Sequence, residues 1–262
     1  MGSEKLVYRL SADNKRLQKD LNKAKAQLSR FQGQSKSISA GINKSLTQAF
    51  TVGAGLAVAQ RGFSELKAFA SESLQLYDEQ EQAIAQVRAG LESTGFVAGR
   101  TLSELKKKAA DLQDNTIFGD ERILKEATAQ LLTFTNIAGI NFDRTQKAAL
   151  DLATRLDGDL KSSSIQLGKA LNDPVANLSA LSRSGIQFSE DQKKVIKELA
   201  NTNRLAEAQT IILDELEKQY GGSAEAAAEA GLGGFKQLQN SIGDLKEEIG
   251  ELLLAGSGEA GL

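Results

Sequence analysis

The residues of this chain that could carry chemistry include an adjacent glycine and lysine, Gly168 and Lys169. In a phosphate-binding loop such a pair follows the pattern G-x-x-x-x-G-K-[S/T], and backbone amides and the lysine surround the phosphates. Here Ser163 stands where the first glycine is required, and Ala170 stands where serine or threonine is required. Both key positions fail, so the pair does not predict a phosphate site.

Two serine–lysine pairs and one acidic turn are the other candidates. The sequence SELK occurs at residues 64–67 and 103–106, with the spacing of a serine nucleophile and its lysine base. Both copies fall on predicted amphipathic helices without a partner motif, and we interpret them as helix surface. The sequence DGD at residues 157–159 offers carboxylates to calcium but lacks the twelve-residue ligand ladder, so we interpret it as a turn or a helix cap.

Two absent residue types exclude much of the remaining chemistry. The chain has no histidine, which excludes Ser-His-Asp triads, Cys-His dyads and most zinc sites. It has no cysteine, which excludes disulfides and thiol nucleophiles. No pair of carboxylates lies in an apolar context that would raise a pKa. We therefore predict no enzyme, with no catalytic, cofactor-binding or metal-binding residues, no cofactor and no small-molecule substrate.

The elements that could position side chains are predicted to be helices. The chain has 262 residues with a single proline, 5% aromatic residues and 40% hydrophobic residues, and Ala, Leu, Gln, Lys and Glu dominate. This composition favours helix over sheet. We predict an all-α multi-helix bundle with amphipathic or coiled-coil helices at both ends. Residues 4–10 alternate weakly, which leaves one short N-terminal strand as an option.

Three regions are predicted. Residues 1–62 form a basic arm followed by a small-residue apolar helix, residues 63–222 a helical domain, and residues 223–262 a hinge, a heptad helix and a tail. Residues 1–44 carry ten basic and three acidic side chains, a net charge of +7 in a chain whose total is −2. Such an arm could bind nucleic acid or an acidic protein surface, or be the solvated face of a helix.

Heptad spacing occurs in two places, at residues 17–31 and 235–252, and makes self-association through coiled coils plausible. Residues 45–63 are apolar and small, which suits a closely packed helix or a membrane-active segment. The first fifteen residues lack the apolar stretch of a signal peptide, so we expect synthesis in the cytosol. The last eight, AGSGEAGL, are expected to be a tail or a cut end.

Helix boundaries follow from capping signals. Thr101 with Glu104, and Ser189 with Gln192, have the spacing of capping boxes. Asp120 and Asp143 are predicted to cap two further helices. Apolar faces are predicted from helical spacing, for instance at Val195, Ile196 and Leu199.

The only proline, Pro174, lies in the stretch GKALNDPVANLSALSRSGIQFSEDQ at residues 168–192. A proline disfavours helix at the residue before it and suits the first turn of a new helix. Gly185 is then expected to end that helix and Ser189 to cap the next one. We interpret the stretch as a connection between helices.

The same stretch carries a resemblance to a known family. The sequence LGKALNDPVANLSALSRSGIQFSEDQKKVIKELANTNRLAEAQTIILDELEKQYGGSA resembles the helical N-terminal region of phage tail tape measure proteins. Three upstream segments also resemble that region and occur in the same order as in the family. They are YDEQEQAIAQVRAGLESTG, FGDERILKEATAQLLTFTNI and ALDLATRLDGDLKSSS. The segment GLGGFKQLQNSIGDLKEEIGELL is similar to the one that closes the region. The resemblance covers about residues 63–254, and the N-terminal arm is similar to the family more weakly.

The resemblance implies a structural component of a phage or prophage tail. In that family the protein is a largely helical ruler in the lumen of the tail tube, assembled in the host cytoplasm. Its partners there are the tube protein, tail assembly chaperones and the initiator or baseplate proteins, and DNA or membrane contact accompanies ejection. A fully helical chain of this length spans only about 390 Å, so a fragment, a shortened gene product and a repurposed module all fit.

The alternative function is a coiled-coil scaffold or a membrane-interacting helical module without a tail role.

Overall fold

The computed structural model describes residues 56–183 and 185–258, and these residues form an all-α fold in which none lies in a β-strand. The all-α prediction is therefore confirmed. The predicted basic arm, its heptad and the optional strand at residues 4–10 lie outside the described residues. So does most of the apolar segment at residues 45–63.

The helices follow one another with short connections. They are α1 (Leu56–Ser93), α2 (Leu102–Asn115), α3 (Asp120–Arg122, the π-helical Ile123–Thr128 and Ala129–Leu131), α4 (Gly139–Arg155), α5 (Leu160–Asn172), α6 (Pro174–Arg183), α7 (Glu190–Asn201), α8 (Leu205–Tyr220), α9 (Ser223–Glu229) and α10 (Gly233–Gly258). Within the two described ranges, no helix combines the length and the apolar character needed to cross a membrane.

The helices belong to two compact units, whose divisions fall inside α1, after Glu79, and inside α10, after Asn240. The described part of the terminal unit is residues 56–79 and 241–258. The central unit is residues 80–240, described except for residue 184. The three-region division made from the sequence stays a prediction.

The terminal unit contains two helical segments that approach closely. A Cβ atom at Gly250 of α10 would overlap the carbonyl oxygen of Ser73 in α1, so only glycine permits this approach. Lys246 Nζ forms an ion pair with Glu72 Oε1 at 2.6 Å. The same ammonium lies 5.9 Å from the ring centroid of Phe69, within cation–π range.

The core of the central unit is built around α4, which packs against α5, α8 and α9. Its residues Phe142, Ala149, Leu150 and Leu152 are fully buried. Their spacing places apolar side chains on more than one face of the helix, as a central helix requires. Each buried leucine contributes about 1.5–3 kcal/mol relative to exposure.

Both predicted capping boxes are confirmed. At the start of α2, Glu104 N donates to Thr101 Oγ1 at 3.2 Å and Thr101 N donates to Glu104 Oε2 at 2.8 Å. At the start of α7, Gln192 N donates to Ser189 Oγ at 3.1 Å and Ser189 N donates to Gln192 Oε1 at 2.8 Å. Each box pairs two backbone groups that the helix itself leaves free.

The predicted caps at Asp120 and Asp143 are wrong. Gly119 is the N-cap of α3, and the backbone N–H of Asp120 donates to Gln113 Oε1 at 2.7 Å. A side chain of the preceding helix thus accepts a hydrogen bond from a free backbone N–H at the start of α3, as a capping side chain would. Helix α4 begins at Gly139, before Asp143, and Asp143 accepts two hydrogen bonds from Arg100, at 3.0 and 2.6 Å. In both cases a residue outside the helix concerned, Gln113 or Arg100, decides the role of the aspartate.

Candidate interaction surface

The serine–lysine pairs and the acidic turn that the sequence offered as candidate chemical residues lie on helices or at a helix start. Ser103 and Lys106 are exposed near the start of α2, and residues 64–67 lie in α1, where their side chains are outside the described part of the chain. Asp159 is the N-cap of α5, since Ser162 N donates to its Oδ2 at 2.8 Å. This hydrogen bond lowers the pKa of the Asp159 carboxyl. The interpretation of residues 157–159 as a turn and cap is confirmed.

The Gly168–Lys169 pair lies within α5, far from any helix start. A Cβ atom at Gly168 would overlap the ring of Phe134, which packs directly on the glycine backbone. Glycine stands here because an aromatic ring from the connection after α3 occupies the space of a side chain. The glycine therefore serves packing.

The corner between α5 and α6 is fastened by the two residues before Pro174. Asn172 accepts from Asn136 N at its Oδ1 and from Asn136 Nδ2 at its backbone oxygen, at 3.1 and 3.2 Å. Asp173 Oδ1 accepts from Ala176 N at 3.1 Å. Pro174 is buried as the first residue of α6, and Gly185 follows that helix with φ +98°. The predicted helix end, new start and glycine stop are confirmed.

A buried amide, Gln209 of α8, ties this corner to the centre of the unit. Its Nε2 donates to Asn136 O at 2.8 Å and to Leu171 O at 3.1 Å. Its Oε1 accepts from Asn141 Nδ2 of α4 at 3.1 Å. Gln209 is 1% exposed, so it satisfies groups that water does not reach. One side chain thereby links α4, α5 and α8.

A buried carboxylate, Asp151 of α4, holds the start of α9. Its Oδ1 accepts from Ala224 N at 2.9 Å. Burial raises the pKa of the Asp151 carboxyl, although hydrogen bonds from the Ala224 and Gly222 backbone and the charge of Lys147 act in the opposite direction. Desolvation is the larger effect, because the carboxylate has left water without a full countercharge.

The connection from α6 to α7 is fixed against α8. Gln187 N donates to Gln219 Oε1 at 3.0 Å and Gln219 Nε2 donates to Gln187 O at 2.7 Å. Ile186 and Phe188, on either side of Gln187, are buried. Hydrogen bonds from Gln219 and Gln192 lower the pKa of the Glu215 carboxyl beside them. The start of α6 and the connection from α6 to α7 are therefore both held in place.

Between these fixed ends, α6 and α7 enclose a groove of about 290 Å³, which we call the α6–α7 groove. It is lined by Pro174, Val175, Leu178, Ser179, Ser182, Lys193, Ile196 and Lys197. The apolar side chains form its floor, with Leu178 and Ile196 8% and 1% exposed. Val175 is 49% exposed at its edge. The groove is an apolar slot open to solvent.

The α7 wall of the groove is basic. Lys193 and Lys197 are one helical turn apart and flank Ile196. Lys193 Nζ pairs with Glu190 Oε1 at 2.8 Å, whereas Lys197 makes no ion pair with any residue that the structure describes. An ammonium carries three donors, so Lys193 also keeps capacity for another acceptor. The groove thus combines an apolar floor with cationic groups on one side.

Sequence reasoning missed this groove. It placed Val195, Ile196 and Leu199 on one apolar face, but Val195 is 43% exposed and Ile196 alone is deeply buried. The available signal was the pair of lysines four residues apart around Ile196. That signal identifies a surface only once α6 is known to pack alongside α7.

Comparisons with protein-family models, with curated proteins and with solved structures find no match for this chain.

Proposed function

We propose that this chain is a structural component of a phage or prophage tail, the N-terminal region of a tape measure protein that templates tail tube assembly and length. The supporting observation is the structural role of residues in the tape-measure-like stretch at residues 167–224. Its distinctive residues Gly168, Asn172, Asp173 and Pro174 serve packing, fastening and capping. A stretch with such roles suits an architectural protein better than a catalyst.

The proposal names the partners that the resemblance implies. They are the tail tube protein, the tail assembly chaperones and the baseplate or initiator proteins. The site of action is the lumen of the tail tube in the virion, after assembly in the bacterial cytoplasm. Contact with DNA or membrane during ejection belongs to the same proposal.

Co-assembly and tail length test this role. The chain, co-expressed with tube protein and chaperones from the same gene neighbourhood, should purify with them. In the full gene, in-frame deletion of residues 63–222 should shorten the tail by up to about 240 Å, at 1.5 Å per residue of helix. A point variant that removes no residues, such as Gln239→Ala at an exposed position of α10, is the length control. Unchanged tail length after the deletion, or no co-assembly, rejects the proposal.

A second candidate is a coiled-coil scaffold without a tail role. It is favoured by the heptad positions Phe235 and Ile242 of α10, which are 52% and 39% exposed. Exposed apolar residues at heptad spacing are available for pairing with another helix. Sedimentation distinguishes the two roles: the scaffold predicts a discrete homo-oligomer that forms without tail proteins.

A further inference from the structure

We propose that the α6–α7 groove is a docking site for an acidic amphipathic helix of a partner protein. The proposal rests on the groove alone and does not depend on the tail role. It commits to one kind of occupant, a helix with leucine-like side chains on one face and carboxylates beside them. Three properties of the groove lead to this occupant.

The first property is size. A volume of about 290 Å³ lies at the lower end of the range for small-molecule pockets, which enclose most of their ligand. An open groove of this volume holds one or two aliphatic side chains. It therefore suits the knobs of a helix whose remaining surface stays outside, the helix-in-groove mode of peptide recognition.

The second property is the apolar floor. Leu178 and Ile196 are almost completely buried, while Val175 at the edge is half exposed. An apolar side chain that enters would cover Val175 and lose its own contact with water. Burial of apolar area provides the favourable free energy of docking.

The third property is charge. Lys197 has no ion-pair partner among the described residues, and Lys193 is held by Glu190 beside it. A carboxylate on the incoming helix would meet these ammonium groups as its apolar face enters the groove. A lysine in the same place would be repelled. Charge complementarity therefore selects an acidic helix over a basic one.

Binding of designed peptides tests the proposal. The probe is a fluorescently labelled amphipathic peptide with leucines at i, i+3, i+4 and i+7 and glutamates on both flanks. Two matched peptides have lysine for glutamate, or serine for leucine. Anisotropy titrations with the full chain should show saturable binding of the acidic peptide, about tenfold tighter than either matched peptide and weaker at high salt.

Matched variants locate the site. Lys197→Glu should weaken binding of the acidic peptide about fivefold, since an attraction becomes a repulsion. Val175→Ser should weaken it about threefold through lost apolar contact. The controls Lys194→Glu and Val195→Ser change exposed residues of α7 that do not line the groove, and should leave binding unchanged. Circular dichroism and urea unfolding establish that each variant is folded.

Several outcomes overturn the proposal. They are no saturable binding, equal binding of the acidic and basic peptides, and equal effects of Lys197→Glu and Lys194→Glu. Sedimentation of the chain alone adds another. If the chain self-associates and Lys197→Glu abolishes that association, the occupant is a second copy and not an acidic partner helix.

Discussion

The contacts around α4 and the contact between α6 and α7 are made in different ways. Around α4, buried polar side chains join neighbouring helices: Gln209 links α8 to α4 and α5, and Asp151 holds the start of α9. Between α6 and α7, Leu178 and Ile196 line the apolar floor of the open α6–α7 groove. We call the first region the fastened region.

The difference assigns separate tasks to the two regions. A buried hydrogen bond is directional, so the polar groups of the fastened region admit one arrangement of the helices. An apolar floor has no preferred direction and accepts whatever side chain fills it. The hairpin of α6 and α7 is held by Gln187 in the connection between the two helices and by Asn172 just before α6, while the groove between the helices stays open. The fastened region holds the fold, and the groove offers surface.

The largest expected effect comes from Gln209→Ala in the fastened region. The substitution removes one of the two acceptors of Asn141 Nδ2, which keeps Ala206 O, and it removes the Gln209 donor of the Asn136 and Leu171 carbonyls. Unpaired buried polar groups cost about 1–3 kcal/mol each, and partial relaxation brings the expected loss to about 2–4 kcal/mol. Urea unfolding followed by circular dichroism measures it.

The control for this variant is Gln239→Ala, at an exposed glutamine of α10. We expect it to change the free energy of unfolding by less than about 0.5 kcal/mol. If the two variants were equally stable, the polar fastening would have no special role, and the distinction between the two regions would fail.

Much of the helical framework was predictable from local signals. Capping boxes at Thr101 and Ser189, the break before Pro174 and the stop at Gly185 depend on residues a few positions apart, so a single sequence displays them. The all-α class followed from composition. These features are confirmed because neighbours in sequence are also the partners in space.

The fastening and the groove were not predictable in the same way. Asp143 resembles an N-cap in sequence, yet its partner Arg100 is 43 residues away. Gln209 lies on a helix whose periodic apolar residues conceal that it is buried. The groove requires side chains from two helices. The sequence predicted a single apolar face for α7, and that face included Val195, which is exposed. Long-range packing decides these roles, and no spacing rule contains it.

A moderate effect is expected from Gly168→Ala, also in the fastened region. The new methyl group would overlap the ring of Phe134, and overpacking of this kind costs about 1–3 kcal/mol. The matched control is Gly243→Ala in α10, where the new methyl group would meet no atom of the described residues within 4 Å and alanine favours helix by up to about 1 kcal/mol. Urea midpoints should move in opposite directions. A stabilised Gly168→Ala protein would show that the ring does not occupy this space.

The smallest effect concerns charge within the fastened region. Because burial raises the pKa of Asp151, the folded chain binds this proton more tightly than the unfolded chain does. The contribution of Asp151 to stability is therefore present below its ordinary pKa of 3.8 and is lost as pH rises through the higher folded value. Asp151→Asn, which keeps an oxygen for Ala224 N but cannot ionise, should escape that loss.

Urea unfolding across acid to neutral pH tests the sign. Relative to the wild-type chain, Asp151→Asn should gain stability as pH rises. Asp159→Asn is the control of opposite sign, since the hydrogen bond from Ser162 lowers the pKa of Asp159. The contribution of Asp159 is present above its ordinary pKa and is lost as pH falls, so this variant should lose stability relative to wild type as pH rises. If the stability of the two variants relative to wild type changed with pH in the same direction, Asp151 would not be desolvated. An ionised carboxylate at position 151 would then hold the start of α9 as well as a neutral amide does.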